Sequence, residues 1–212
     1  MTLHVLALAA LIRHCAPAVA PSTMAAIVQV ESGGDPLAIG DNTTRRSYYP
    51  RDRATAERLA RRLLDAGHLL DIGIAQIDSM NFAGFGVTVH TIFDPCINLS
   101  VGARILSGDY TFAAQRYGDG QIALRHAVGM YNTGRLNAGA LYIARVLAAA
   151  GIQEDHSGGP RVISQRDAMR SPLFVRLAIV RRALPTKRRR FVTPARSPIL
   201  VTVPRTSRVK MF

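Results

Sequence analysis

All of this chain's excess charge lies at one end. Residues 1–160 carry 13 Lys and Arg against 13 Asp and Glu, whereas residues 161–212 carry 14 Lys and Arg against a single acid, Asp167. The net charge of +13 therefore belongs to the last quarter of the chain. A neutral body can bury its apolar residues without self-repulsion, and a segment so rich in like charge resists compaction. The fold is thus expected in residues 1–151, followed by a linker over 152–160 and a basic tail over 161–212. The tail reads as largely disordered, with one amphipathic helix at 172–183. Electrostatics draws such a tail to an anionic surface or partner. It contains no specific nucleic-acid motif.

The body is punctuated as helices. Apolar residues at helical spacing in residues 21–31 include Met24, Ile27, Val28 and Val30, with Ser22 as a candidate cap and Gly33 as a stop. Residues 55–66 form a second amphipathic pattern, with Leu59, Leu63 and Leu64 on one face and arginines on the other. Asp94-Pro95 is a cap followed by proline at the first helical position, opening a helix that runs to Tyr117. Further helices are expected at 121–131 and 137–150. Residues 35–53 read as a loop, and residues 71–92 as a Gly-rich stretch holding a short β element or bent helix. The expected fold class is all-α. Residues 3–15 read as a first domain helix. Their apolar run also resembles a secretion signal, but no Lys or Arg precedes it and Pro21 follows the candidate cleavage site. No apolar run is long enough to span a bilayer.

Within this pattern Glu31 stands out. It is an acid in the last turn of an apolar helix, followed by Ser32-Gly33-Gly34. Both the helix dipole and partial burial disfavour its ionised form. A carboxyl kept protonated near neutral pH is suited to general acid catalysis. The alternative is a solvated glutamate at a helix end. Cys15 and Cys96 fit either a disulfide or two buried thiols. The six histidines lack ligand spacing, and HExxH, GxSxG and phosphate-loop motifs are absent, so no metal or cofactor is expected.

Three segments together are similar to the soluble lytic transglycosylases of the lysozyme superfamily: Glu31-Ser32, Gly73-Ile74-Ala75-Gln76 and Met130-Tyr131-Asn132-Thr133-Gly134. The stretch from Cys15 to Pro21, the run from Glu31 to Asn42, and Phe93-Asp-Pro-Cys-Ile-Asn-Leu99 resemble the transglycosylase component of type IV secretion and conjugation systems. The resemblance covers roughly residues 10–150. It implies a lysozyme-like helical domain that cleaves the β-1,4 bond between N-acetylmuramic acid and N-acetylglucosamine and leaves a 1,6-anhydro sugar. It assigns Glu31 as the catalytic acid/base and Ser32, Gln76, Tyr131 and Asn132 as substrate-binding residues. Tyr131 would hydrogen-bond the Glu31 carboxyl or line the cleft. For Gln76 the alternative is loop capping, and for Ser32 capping is the simpler role.

The resemblance also favours a Cys15–Cys96 disulfide, a periplasmic location, and peptidoglycan and secretion components as partners. Three features depart from the family pattern: the long interval between Glu31 and Gln76, Ala75 in place of Met, and Asp78 in place of Asn. Two other readings stand beside this one. A water-using hydrolase would need a second carboxylate from Asp35, Asp71 or Asp78. A non-catalytic glycan-binding adaptor would need none.

Overall fold

Prolines and aspartates set where the helices begin. In the computed structural model, which describes residues 5–152, Pro21 opens α2 (Pro21–Glu31) and Pro95 opens α6 (Pro95–Tyr117). Each fits because the first helical N–H has no partner within the helix. Asp94 caps α6, its carboxylate accepting from the N–H groups of Cys96 and Ile97. Asp52 likewise caps α3 (Arg53–Asp65) by accepting from Thr55 N–H. Ser22 does not cap α2. Ala20 occupies that position without a side-chain bond, and Pro21 does the work of fixing the entry angle.

Five further helices complete the described chain: α1 (Val5–Cys15), α4 (Phe82–Phe85), α5 (Val89–Ile92), α7 (Gln121–Thr133) and α8 (Ala140–Ala149). The last starts three residues later than its apolar pattern implied, after Gly139 as N-cap. Helix α3 seals its inner face with Ala56 and Ala60, while Leu59, Leu63 and Leu64 are only partly buried against the core.

The largest departure concerns residues 35–53. They are not simply a loop but contain β1 (Ile39–Asp41) and β2 (Arg46–Tyr48). These join β3 (Leu70–Ile72) and β4 (Ile77–Asp78) in an antiparallel sheet of order β2-β1-β3-β4. Register pairs Ile39 with Ile72 and Asp71 with Asp78. The strands are two or three residues long, too short for period-2 alternation to show.

Helix α6 is the axis of the domain. It buries Leu99, Val101, Ala103 and Leu106, and packs along α7 and α1. Helix α2 lies against α1 and α8, with Met24, Ile27 and Val28 inaccessible to solvent. Each such side chain contributes about 1.5–3 kcal/mol relative to exposure. Cys15 and Cys96 are disulfide-bonded, which removes the two-thiol alternative and ties the end of α1 to the first turn of α6. Closing a loop between positions 81 apart restricts the unfolded chain by about 4 kcal/mol in the chain-entropy account. No helix among the described residues is long and apolar enough to cross a membrane. The linker beyond residue 152, the basic tail and its helix at 172–183 lie outside the described residues.

Candidate active site

Glu31 ends α2 on the wall of a cleft of about 590 Å³. Four carboxyl side chains line that cleft: Glu31, Asp71 from β3, Asp78 from β4 and Asp109 from α6. Gln76, Tyr131 and Asn132 line it as well, and no Lys or Arg does. Removal from water pushes the Glu31 pKa up to about 7, against a lowering by the Tyr142 hydrogen bond, with the nearby Asp71 raising it and Arg145 lowering it. Desolvation wins because an ionised carboxylate loses more solvation than one phenol returns. Tyr142 donates that bond to Oε1 of Glu31 at 2.5 Å. Burial also raises Asp71 to about 6, assisted by Asp78, while the amide of Asn42 acts in the opposite direction.

The Gly73–Gln76 segment reaches the cleft because Asn98 holds it from behind. The Asn98 amide is fully buried and donates to the carbonyls of Ile72 at 2.8 Å and Ile92 at 3.0 Å. Its Oδ1 accepts from Ala75 N–H at 2.8 Å. A Cβ at position 73 would fall 2.3 Å from the Asn98 amide nitrogen, on a backbone with φ of +85°. Glycine is therefore required there. Gln76 itself adopts a left-handed φ of 47°. Its side-chain amide donates to Ala38 O at 3.1 Å and Gly73 O at 2.8 Å. These bonds hold a backbone conformation that costs a non-glycine residue on the order of 1 kcal/mol.

The structure therefore places the expected residues unevenly. Glu31, Gln76, Tyr131 and Asn132 share one cleft. The Gln76 amide nitrogen, however, serves the loop and not open space. Tyr131 lines the cleft but does not reach Glu31; its hydroxyl donates to Ala75 O at 2.8 Å. Ser32 is turned inward, donating to Ile74 O at 2.7 Å and accepting from Gly34 N–H at 3.1 Å. Its hydroxyl is thus committed to closing α2, and it is not part of the cleft wall. Asp35 is buried away from this wall and accepts from Leu37 N–H.

Residues 10–145 match the family described as the transglycosylase SLT domain. The chain belongs to that family. Its SLT domain is 44% identical over 140 residues to "Protein virB1" of Agrobacterium fabrum, covering 65% of this chain and 57% of that protein. It is 39% identical over 150 residues to "Type IV secretion system protein virB1" of Brucella abortus, covering 67% of this chain and 63% of that one. The chain thus spans about three-fifths of the length of these relatives. No solved structure matches it.

The residue of the SLT domain that sequence reasoning missed is Tyr142. It lies 111 positions from Glu31, on the face of α8 that also buries Ile143 and Val146. A tyrosine on a buried helix face was the available signal, since its hydroxyl must find a partner. Arg145, one turn further on, sits with its guanidinium carbon 6.0 Å from the Tyr142 ring centre.

Proposed function

We propose that the chain is a peptidoglycan lytic transglycosylase in which Glu31 acts as both acid and base. The observation that carries this reading is a half-buried carboxyl on the wall of a sugar-sized cleft, with its pKa raised to about 7. At neutral pH a large fraction of Glu31 holds its proton. The proton passes to the bridging oxygen as the bond from that oxygen to the anomeric carbon of N-acetylmuramic acid breaks. The Glu31 carboxylate then takes the proton of the sugar's own 6-hydroxyl, whose oxygen bonds to the anomeric carbon. Glu31 ends protonated, as it began, and water is not consumed. An intramolecular nucleophile gains by proximity and needs no second carboxylate to activate water.

The names of the similar proteins support a place in type IV secretion, where local opening of the wall would let an envelope-spanning apparatus assemble. A periplasmic location follows from this reading, and the Cys15–Cys96 disulfide supports it, because such bonds persist in oxidising compartments. The basic tail would associate with an anionic surface or partner. Its deletion should then weaken association most at low salt; equal association at every salt concentration would remove the idea.

A hydrolase reading retains one specific support: Asp71 and Asp78 share the cleft with Glu31. The test of the catalytic assignment is digestion of purified sacculi by the wild-type protein and Glu31→Gln. Loss of one general acid lowers rates by about 10²–10⁴-fold. Unchanged wall degradation by a folded Glu31→Gln protein would remove Glu31 from the mechanism. Glycan binding without cleavage by the wild type would favour an adaptor.

A further inference from the structure

Three of the four carboxyls on the cleft wall have protein donors. Glu31 takes the Tyr142 hydroxyl, Asp71 takes the amide of Asn42 at 2.9 Å, and Asp78 takes the N–H of Met80 at 2.8 Å. Asp109 differs, because its Oδ2 is buried with no hydrogen-bond partner. An acceptor withdrawn from water without a donor destabilises the fold that contains it. A carboxyl with one oxygen enclosed and no donor from the protein persists where function requires it, and its second oxygen is left for a ligand in the cleft that the residue lines.

Its position favours the ligand. Gly102, Ile105 and Asp109 follow helical spacing along one face of α6. At the near end of this face, a Cβ on Gly102 would lie 2.8 Å from the Tyr131 hydroxyl. Ile105 and Asp109 continue the same face along the cleft wall. Asp109 is therefore about 10 Å along the helix axis from the Tyr131 contact. That spacing sets Asp109 apart from the Tyr131 end of the cleft wall. The wall offers no Lys or Arg to pair with Asp109. A glycan strand lying in the cleft does carry donors there, as ring hydroxyls and acetamido N–H groups.

We propose that Asp109 is a specificity-determining residue that grips a sugar flanking the scissile bond by accepting a hydrogen bond from its hydroxyl or acetamido N–H. The proposal rests on the transglycosylase reading and extends it to a neighbouring sugar. It separates Asp109 from Asp71 and Asp78, whose protein donors already hold them, and it gives the acidic side of α6 a role in binding without a role in proton transfer.

The test uses full-length Glu31→Gln, which cannot turn substrate over, and a soluble tetrasaccharide of alternating N-acetylglucosamine and N-acetylmuramic acid. Calorimetry measures its Kd for Glu31→Gln alone and with Asp109→Asn or Asp109→Ala added; thermal melting is recorded in parallel. Loss of a hydrogen bond to a charged acceptor weakens binding by about tenfold or more. Melting temperature should stay level or rise, since an unpartnered buried carboxylate has gone. In the catalytically active protein, Asp109→Asn should raise KM and leave kcat nearly unchanged. Equal Kd values would overturn the proposal. So would weaker binding accompanied by a lower melting temperature in both variants, which would assign Asp109 a structural role. If Glu31→Gln itself binds no tetrasaccharide, the underlying reading fails, and the role of Asp109 fails with it.

Discussion

The hydroxyl of Tyr142 donates a 2.5 Å hydrogen bond to Oε1 of Glu31, joining the start of α8 to the end of α2. This bond holds one carboxyl oxygen and, in the proposed mechanism, leaves the other to carry the proton. It also favours the ionised form, opposing the desolvation that raises the Glu31 pKa to about 7. The pair therefore sets both the aim of the acid and the pH at which it loses its proton.

Removal of that phenol should change both properties. Tyr142→Phe keeps the ring packed in the core and deletes only the donor. The alkaline limb of the rate profile, which reports loss of the Glu31 proton, should move up by about one pH unit. Turnover at the optimum should fall by about tenfold as the carboxyl loses its orientation. A pH–rate profile of the variant checks this; an unmoved limb would mean that Tyr142 does not touch the titrating group in solution.

Glu31 should make the domain less stable as pH rises. Its folded pKa of about 7 lies above the ordinary glutamate value of 4.5, so the folded state binds more protons between those values. Its contribution is fully present below pH 4.5 and is lost as pH climbs through 7. The ionised carboxylate then costs about 3 kcal/mol. Glu31→Gln retains an acceptor for Tyr142 and carries no charge. It should melt several degrees above the wild type at pH 8 and close to it at pH 4. Differential scanning calorimetry at the two pH values decides, and a pH-independent difference would contradict the burial account.

Gly102 allows Tyr131 to reach its place. A Cβ there would meet the Tyr131 hydroxyl at 2.8 Å, with Ala75 Cβ and Met24 Cε each at 3.1 Å. Gly102→Ala should destabilise the domain by about 1–3 kcal/mol through overpacking. It should also reduce activity more than that loss explains, because the Tyr131–Ala75 bond holds the cleft wall. Denaturant titration paired with sacculus digestion checks both halves; full activity would show that this contact does not shape the cleft.

Asp71 separates the two chemistries. If it only raises the Glu31 pKa through its charge, Asp71→Asn should lower the alkaline limb slightly and reduce turnover by less than about tenfold. If it activates water as a second carboxylate, the same change should abolish activity as fully as Glu31→Gln. Initial rates across pH distinguish these outcomes.

Much of this site was legible in local sequence, and the rest was not for identifiable reasons. Glu31 was visible because helix periodicity ended at an acid followed by Ser-Gly-Gly. Asp94-Pro95 marked α6 because capping is a local event. Strands β1 and β2 escaped because three-residue strands carry no periodic signal; they are held by pairing with each other and, through β1, with β3. For Ser32 the capping role was legible locally, whereas its bond to Ile74 O, 42 positions away, was not. Tyr142 and Asn98 act through partners distant in sequence, so only the folded chain brings their roles together. Of the two roles expected of Tyr131, it lines the cleft, while its hydroxyl donates to Ala75 O and the bond to Glu31 is made by Tyr142.

The central claim is that a single carboxyl, Glu31, cuts the glycan by turning the sugar's own 6-hydroxyl on its anomeric carbon. Mass spectrometry of the muropeptides released from purified sacculi tests it most directly. The account predicts 1,6-anhydro-muramyl products, each lighter by one water than a hydrolysis product, and their loss with Glu31→Gln. Release of reducing-end products without anhydro sugars would contradict it.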